Sequence, residues 1–307
     1  MSSARHPLPT DIVALVSFDG RVYPNEANPF DRLGLEPKTR PLERALEQWF
    51  SFATGKQAWV SVRGATIRGL ISARKRAKRS AWEIEVLIDA SDDESVILSL
   101  FSRMTAGVIK QGAERVFLRV NADSDARDPA RAAGFFSYCG EVLYRRGPEK
   151  WQPTGGDLEF RSRSKADTFG LFQLYNRVAP ATVRAIEGLT LREWQAAQEK
   201  WGGRTHDMIV EEDGVITGWV RTLSGSPSRI YVLAERGPYD PLLGAGLDVL
   251  QDQEAFCLAP DYNPELASAL ERYGFEPVAQ YESLAKRLTQ PVEQAIPETS
   301  SEVVPAG

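Results

Sequence analysis

The chain has 307 residues, of which 42% are hydrophobic and 26% are charged, and its formal net charge is −5. This length exceeds a typical single hydrophobic core and predicts two domains, and the composition is that of a globular protein. The negative net charge argues against a protein that binds nucleic acid over its whole surface. No stretch reaches the roughly 18 apolar residues of a membrane span, and residues 1–10 lack the apolar core of a signal peptide. We therefore expect a cytoplasmic protein without a membrane segment.

The few cysteines and histidines argue against several chemistries. Cys139 and Cys257 are the only cysteines, and their apolar or small neighbours predict packed thiols rather than a disulfide or a metal site. His6 and His206 are the only histidines. Two histidines so placed favour neither a structural zinc site nor a Ser-His-Asp triad. We expect the function to depend on other residue types.

The first half of the chain predicts alternating strands and helices. In order, we expect a loose tail at 1–10, a strand at 12–18, a helix at 41–52, strands at 57–62, 65–72 and 82–88, a helix at 91–111, a strand at 116–120, a short helix ending near 133 and a strand ending near 145. Ser91 and Glu94 have the spacing of a capping box, which would start the long helix.

The most basic run, residues 74–79, lies between two predicted strands and has five positive charges in six residues. The plainer interpretation is a solvated hairpin loop, and the alternative is an electrostatic dock for an acidic partner or a phosphate. No aromatic residue is interleaved to stack on a base, so the run does not favour nucleic acid.

The second half repeats the order after a linker at 147–156 that is rich in proline and glycine. We expect a strand at 158–163, helices within 165–201, strands at 207–211, 215–221 and 228–234, a helix at 240–250, a strand at 255–259, a helix at 264–273, a strand at 274–288 and a disordered tail at 289–307.

A Gly-Phe pair ends a predicted helix and opens a strand in both halves, at Gly134-Phe135 and Gly274-Phe275. The two glycines are 274 − 134 = 140 residues apart. Glycine just past a helix end adopts the left-handed backbone angles that stop the helix. Two such pairs with matching upstream elements indicate an internal repeat.

This order of elements, with Asn263 eleven residues before Gly274, resembles the Gcn5-related N-acetyltransferase (GNAT) superfamily. The resemblance covers residues 11–146 and 157–288. It implies an α/β (α+β) fold of two tandem acyl-CoA N-acyltransferase-like domains, each a mixed, mostly antiparallel sheet flanked by helices. It also implies a monomer whose two domains pair within the chain, or a homodimer.

The resemblance implies acetyl-CoA as cosubstrate. In the family, a glycine-containing turn after the fourth strand presents backbone N–H groups to the pyrophosphate at a helix N-terminus. The corresponding turn of the first half, 89–94, has four carboxylates and no glycine, whereas that of the second half, 235–246, keeps glycines at altered spacing and adds two prolines. The implied cofactor-binding residues are therefore those of the second half: Val232, Leu233, Arg236, Gly237, Gly244 and Asn263.

Candidate catalytic residues lie on the fourth strand of each half. Glu83 and Glu85 share one face of that strand in the first half, where a glutamate base could reach the cleft, although alternation would equally place both on a solvated face. Tyr231 lies on the matching strand of the second half, where a half-buried structural aromatic is the alternative. Trp194 and Trp201 either wall a substrate pocket or pack in the core.

The resemblance implies an acyl-CoA-dependent N-acyltransferase that acts on a small-molecule or peptide amine. The alternative is a non-catalytic binding or scaffolding protein whose cofactor sites have decayed.

Overall fold

The computed structural model describes residues 3–8, 11, 26–34, 56–64, 66–76, 80–90, 93–153, 158–188, 190–198, 201, 203–235 and 237–288. Within these ranges, twelve strands form one continuous mixed sheet. The strands are β1 (Ser3–Arg5), β2 (Lys56–Arg63), β3 (Thr66–Lys75), β4 (Ala81–Asp89), β5 (Arg115–Asn121), β6 (Phe136–Arg146), β7 (Arg161–Ser162), β8 (Arg204–Glu212), β9 (Val215–Ser224), β10 (Ser228–Ala234), β11 (Ala255–Pro260) and β12 (Glu276–Arg287).

Helices cover both faces of this sheet. They are α1 (Glu94–Ile109), α2 (Arg127–Ala132), α3 (Thr168–Val178), α4 (Ala181–Glu187), α5 (Leu191–Ala197), α6 (Tyr239–Leu250) and α7 (Pro264–Arg272). In the first half, α1 contributes six buried side chains to the main core, among them Leu100 and Phe101. In the second half, α6 and α7 pack on one face of the sheet and α3 and α5 on the other. The fold is therefore the mixed, mostly antiparallel α/β arrangement that the sequence predicts.

The two halves exchange their last strands. The strand order is β1-β2-β3-β4-β5-β12-β6-β11-β10-β9-β8-β7. Thus β12, from the end of the second half, lies antiparallel between β5 and β6, while β6 pairs with β11 of the second half. The predicted boundaries, 11–146 and 157–288, divide the sequence into repeats, but the sheet joins the repeats through these exchanged strands.

The Gly-Phe pairs have the predicted local structure. Gly134 and Gly274 follow α2 and α7 with φ of +88° and +77°, a backbone region that favours glycine. Phe135 and Phe275 are buried in the cores of their own halves. The repeated motif therefore ends a helix and anchors the following strand in both halves.

Two local predictions are wrong, and others fall outside the described ranges. Ser3–Arg5 pairs with β2 instead of forming a loose tail. The helix α1 begins at Glu94 with Asp93 as its N-cap, since the Asp93 carboxylate accepts from the Ser95 N–H, so the predicted start at residue 91 is wrong. The predicted strand at 12–18, the helix at 41–52 and the tail at 289–307 lie outside the described residues. No helix in the described part of the chain is long and apolar enough to cross a membrane.

Candidate functional site

Each half contains two parallel strands that pair only at their N-terminal ends. In the first half, β4 pairs with β5 over Ala81–Glu83. In the second half, β10 pairs with β11 over Ser228–Ile230. Beyond these three-residue stretches the strands diverge, which leaves peptide groups without a neighbouring strand. Each half thus has a V-shaped cleft at the C-terminal ends of its parallel strands.

The chain itself fills the first cleft. The N–H of Glu26 donates to the carbonyl of Leu87 on β4 at 3.2 Å, and the N–H of Asn28 donates to the carbonyl of Arg119 on β5 at 2.8 Å. Ala27, between these two bridges, has no exposed surface. This segment therefore occupies the space that a ligand lying between the two strands would need.

The same segment then crosses to the second half. The Arg229 guanidinium donates to the carbonyls of Phe30 and Leu33 and lies over the Phe30 ring. The Phe30 ring stacks on Trp201, with centroids 5.3 Å apart and an interplanar angle of 12°. The segment that closes one cleft thus contributes an aromatic wall next to the other.

In the second cleft, the register leaves the peptide groups of Val232 facing the gap. The Glu235 N–H donates to the Thr217 carbonyl on β9. Because hydrogen-bonded pairs alternate in an antiparallel ladder, Ile230, Val232 and Ala234 direct their peptide groups away from β9. Ile230 pairs with β11, and the Ala234 carbonyl accepts from the Tyr239 hydroxyl. Among the described residues, no other segment bonds to Val232 on this side.

The turn after β10 leads directly into α6. Gly237 has φ +110°, and a Cβ at this position would meet nothing within 4 Å. The first residues of α6 are Tyr239 and Asp240, and the Asp240 carboxylate is paired with Arg272 at 2.6 Å. The pairing reduces the repulsion that this carboxylate would exert on an anion at the helix N-terminus.

The other predicted cofactor residues have different placements. Gly244 is buried inside α6, because the helix already begins at Tyr239; the prediction that it belongs to the turn is wrong. The Asn263 side-chain oxygen accepts from the Leu266 N–H and caps α7. The Leu233 side chain packs in the core. Arg236 lies outside the described residues.

A cavity of about 150 Å³ lies where β10 and β11 separate. The last strand pair is Ile230–Cys257, and the next residues, Tyr231 and Leu258, line the cavity. The remaining lining residues come from both halves: Phe30, Arg119, Cys139, Glu141, Tyr175, Glu187, Trp194, Ala197, Gln198, Trp201, Arg221, Pro260 and Tyr262. The apex of the second cleft therefore opens into an aromatic pocket that contains ionisable groups.

Glu187, the last residue of α4, is the pocket carboxylate whose pKa is raised. Its two oxygens accept from the hydroxyls of Tyr138 at 3.2 Å and Tyr175 at 3.3 Å. Burial raises the pKa of Glu187 above its ordinary value, and the Arg76 guanidinium and the two hydroxyls only partly oppose this effect. Glu187 forms no salt bridge within the described ranges. A carboxylate with a raised pKa is a stronger base than an ordinary glutamate.

Glycine at position 188 brings the ends of α4 and α5 together. A Cβ on Gly188 would lie 2.6 Å from the Trp194 backbone nitrogen, so a larger residue would push the helices apart. Trp194 packs against Tyr175, with ring centroids 6.1 Å apart. Trp194 and Trp201 both line the pocket, and Trp194 also belongs to the core. The expectation that Trp194 packs in the core is confirmed, and whether the pocket that it lines binds a substrate stays a prediction.

Glu141, the second carboxylate that lines the pocket, is paired with a cationic side chain. Glu141 accepts from Arg119 at 2.7 and 3.2 Å and from the Ser283 hydroxyl at 2.5 Å. Cys139 is nearly buried, and burial raises the pKa of its thiol well above the ordinary value. The Cys139 thiol is therefore not prepared for nucleophilic attack at neutral pH.

The predicted glutamates of β4 lie in a buried ionic network. Glu83 is 7% exposed and Glu85 is 3% exposed, so the solvated face expected from alternation is wrong. Glu83 pairs with Arg74 and Arg76, and Glu85 pairs with Arg74, all at 3.1 Å. Although burial favours the neutral acid, the arginines lower the pKa of Glu83 from 4.5 to about 2.

This network also accounts for the described part of the basic run. Its two described arginines, Arg74 and Arg76, have partners within the chain, and Lys75 lies over the Trp82 ring at 5.3 Å. Residues 77–79 lie outside the described ranges.

No family model and no curated protein matches the chain. Solved structures match over almost its whole length. A GCN5-related N-acetyltransferase from Sphaerobacter thermophilus is 13% identical, and the match covers 93% of this chain and 95% of that protein with a TM-score of 0.59. A tandem GNAT protein from the clavulanic acid biosynthesis pathway is 12% identical over 94% of this chain and 98% of that protein, with a TM-score of 0.52. At these identities the likeness shows the fold, and the chain has the tandem GNAT fold.

Proposed function

We propose that the chain is an acyl-CoA-dependent N-acyltransferase and that its reaction takes place in the second half. One observation carries this proposal: β10 and β11 separate directly into a pocket that holds Glu187, a carboxyl group of raised pKa. The first cleft, by contrast, is bridged by the segment around Ala27. The tandem GNAT fold supports the proposal, because the solved proteins that share it include N-acetyltransferases.

The second half fits an acyl-CoA molecule at two places. The Val232 peptide group faces the cleft and is available to hydrogen-bond to an extended amide-containing arm. The turn at Gly237 and the first N–H groups of α6 offer backbone donors to a pyrophosphate. Pro241, in the first turn of α6, removes one donor that a helix start would otherwise provide. We therefore expect binding of moderate affinity.

Acyl-CoA, when bound, supplies an acyl group as a thioester. In the proposed reaction, the acceptor amine forms a bond to the acyl carbon, the carbon–sulfur bond breaks, and Glu187 takes a proton from the amine nitrogen. The oxygens of Glu187 retain lone pairs for this proton, because each accepts only one tyrosine hydrogen bond in the described structure. Glu187 is therefore the general base.

Tyr262 follows β11 and lines the pocket. Its hydroxyl has no hydrogen-bond partner among the described residues, and burial raises the pKa of Tyr262 above its ordinary value. A phenol with a pKa so far above that of a thiol, about 8.5, keeps its proton. We propose that Tyr262 donates a hydrogen bond to the sulfur as it leaves and does not transfer its proton.

Calorimetric titration with acetyl-CoA tests the cofactor site. We expect one site per chain, since one cleft is filled by residues 26–28. Gly237→Asp and Gly237→Asn impose the same backbone strain and differ in charge. Repulsion of about 1 kcal/mol for each pyrophosphate charge predicts that the Asp variant binds about 5- to 30-fold more weakly than the Asn variant.

Two outcomes would contradict the proposal. Absence of binding at millimolar acetyl-CoA would favour the non-catalytic binding protein. Equal affinities of the two Gly237 variants would show that the pyrophosphate does not lie at this turn.

A further inference from the structure

The pocket presents an acidic group from helix α4 and a basic group from strand β9. Glu187 is bound to Tyr138 on β6, whereas Arg221 reaches the pocket from β9. Two strands, β11 and β10, lie between β6 and β9 in the sheet. Three strand spacings amount to roughly 14 Å at the level of the backbone. Glu187 and the Arg221 guanidinium thus reach the pocket from different elements of the fold.

Arg221 is held in position and keeps donors available. Its Nε donates to the Asp207 carboxylate at 2.8 Å, and the Trp219 indole donates to the same oxygen at 2.8 Å. The guanidinium lies 4.9 Å from the Trp219 ring centroid and 5.8 Å from that of Trp201. Its two terminal nitrogens have no hydrogen-bond partner in the described part of the chain. A rigid guanidinium with free terminal donors is suited to bind a carboxylate.

A second donor in the pocket has no partner either. Trp194 is 3% exposed, and its indole Nε1 is buried without a hydrogen-bond acceptor among the described residues. A buried N–H without a partner is unfavourable, and few occur in folded proteins. An acceptor oxygen on a ligand would satisfy it. Arg221 and Trp194 therefore both favour ligand oxygens, while Glu187 favours a ligand amine.

The rest of the wall is aromatic. Phe30 and Trp201 form a stacked pair, and Tyr231 and Tyr262 line the pocket beside it. These rings offer flat apolar surface to the body of a ligand. A polyamine or an amino sugar would place further positive charges near Arg221, which electrostatic repulsion disfavours.

We propose that the acceptor is an amino acid. Its primary amine lies at Glu187, its carboxylate lies at Arg221 and the Trp194 N–H, and its apolar side chain lies against the aromatic wall. This inference rests on the proposed function. The product is an N-acyl amino acid: the amine loses one proton to Glu187 as its bond to the acyl carbon forms and the thioester carbon–sulfur bond breaks.

Binding without an acyl donor tests the acceptor class. L-tryptophan, tryptamine and indole-3-propionate share a ring and differ in the carboxylate or the amine, and the phenylalanine series gives a second set. Titrated into the full chain, the amino acid of at least one set should bind about 10- to 100-fold more tightly than its amine, which lacks the charge-assisted bonds to Arg221. An amine that binds as tightly as its amino acid in both sets, or no binding in either set, overturns the assignment.

Two variants test which residues cause the preference for the amino acid over its amine. Arg221→Met should remove the preference for the amino acid and leave the affinity for the amine within about twofold. Trp194→Phe keeps the ring and removes the N–H, and should weaken amino-acid binding alone by about fivefold. Preferences unchanged in both variants would place the carboxylate elsewhere and contradict the proposal.

The outcomes separate this inference from the proposed function. If acetyl-CoA binds and tryptamine binds as tightly as tryptophan, the acceptor class is wrong and the transferase stands. If tryptophan binds and acetyl-CoA does not, the pocket assignment stands and the transferase is wrong.

Discussion

The two halves of the sheet have the same strand order but use their diverging parallel strands differently. In the first half, the peptide groups of Leu87 and Arg119 are bound by the segment around Ala27, and the carboxylate of Glu83 is bound by arginines. In the second half, the Val232 peptide faces an open cleft, and the partners of Glu187 among the described residues are the hydroxyls of Tyr138 and Tyr175. One repeat thus satisfies the polar groups of its cleft internally, whereas the other leaves the peptide group of Val232 available.

This difference has a physical consequence for the two carboxylates. Arg74 and Arg76 lower the pKa of Glu83, so that it is ionised and weakly basic at neutral pH. Burial among tyrosines raises the pKa of Glu187. A stabilising ion pair and a general base thus require opposite environments for the same side chain. The ion-paired Glu83 is thus suited to stabilise the fold, and under the proposed function the chemistry belongs to the second half.

The largest expected effect is a fall in the catalytic rate of the variant Glu187→Gln. Loss of a general base lowers rates by about 10²- to 10⁴-fold, and we expect this fall in kcat with acetyl-CoA and an amine acceptor. Because only the ionised carboxylate accepts a proton, the wild-type rate should decline as the pH falls below the pKa of Glu187, and the residual rate of the variant should lack this decline.

The matched control for this experiment is Glu83→Gln, assayed well below its unfolding temperature. It should leave kcat within about twofold, since Glu83 lies outside the pocket. If Glu83→Gln lowers kcat as much as Glu187→Gln does, the assignment of roles to the two halves is wrong.

The next largest expected effect is on the free energy of unfolding, which the Glu83→Gln substitution should lower. The folded pKa of Glu83 is about 2, compared with an ordinary 4.5, and this difference corresponds to about 3 kcal/mol. The folded pKa is depressed, so the contribution is fully present above about pH 4.5 and is lost as the pH falls towards 2. Urea unfolding should show the variant less stable by about 3 kcal/mol at pH 7 and by about 1 kcal/mol at pH 3.

Glu212→Gln is the comparison for that measurement. Glu212 is an exposed residue of β8, so its substitution should change the free energy of unfolding by less than about 0.5 kcal/mol at both pH values. A deficit of Glu83→Gln that stays constant between pH 7 and pH 3 would argue against the ion pairs as its cause.

Individual elements of the fold can be predicted from the sequence because short local patterns determine them. The Gly134-Phe135 and Gly274-Phe275 pairs and the predicted helix at 91–111, which corresponds to α1, each follow from short stretches of sequence. The strand exchange does not follow from them, because β12 pairs with β5 over a long sequence distance, as Glu282 does with Val120. The sequence therefore predicts the two repeats but not the exchange of strands between them.

The site depends on contacts over long sequence distances. Glu187 ends a short helix, and nothing local marks it; its environment comes from Tyr138, which lies 49 residues earlier, and from Tyr175. Tyr231 is recognisable from its strand and does line the pocket. Glu83 and Glu85 share the predicted face, but their arginine partners are visible only once β3 and β4 are paired.

The smallest expected effect is on the pKa of Glu187, the proposed general base. Tyr175 donates to Glu187 at 3.3 Å, and this bond lowers the pKa of the carboxyl group by stabilising its ionised form. Tyr175→Phe should therefore raise the pKa of Glu187, because a hydrogen bond to the ionised form is lost. The acidic limb of the pH–kcat profile should move to higher pH, while the plateau rate changes by less than about threefold. Tyr144→Phe, which removes a hydroxyl next to the α6–α7 core, should leave the limb in place. A limb that moves equally in both variants, or moves to lower pH in Tyr175→Phe, would mean that the titrating group is not Glu187.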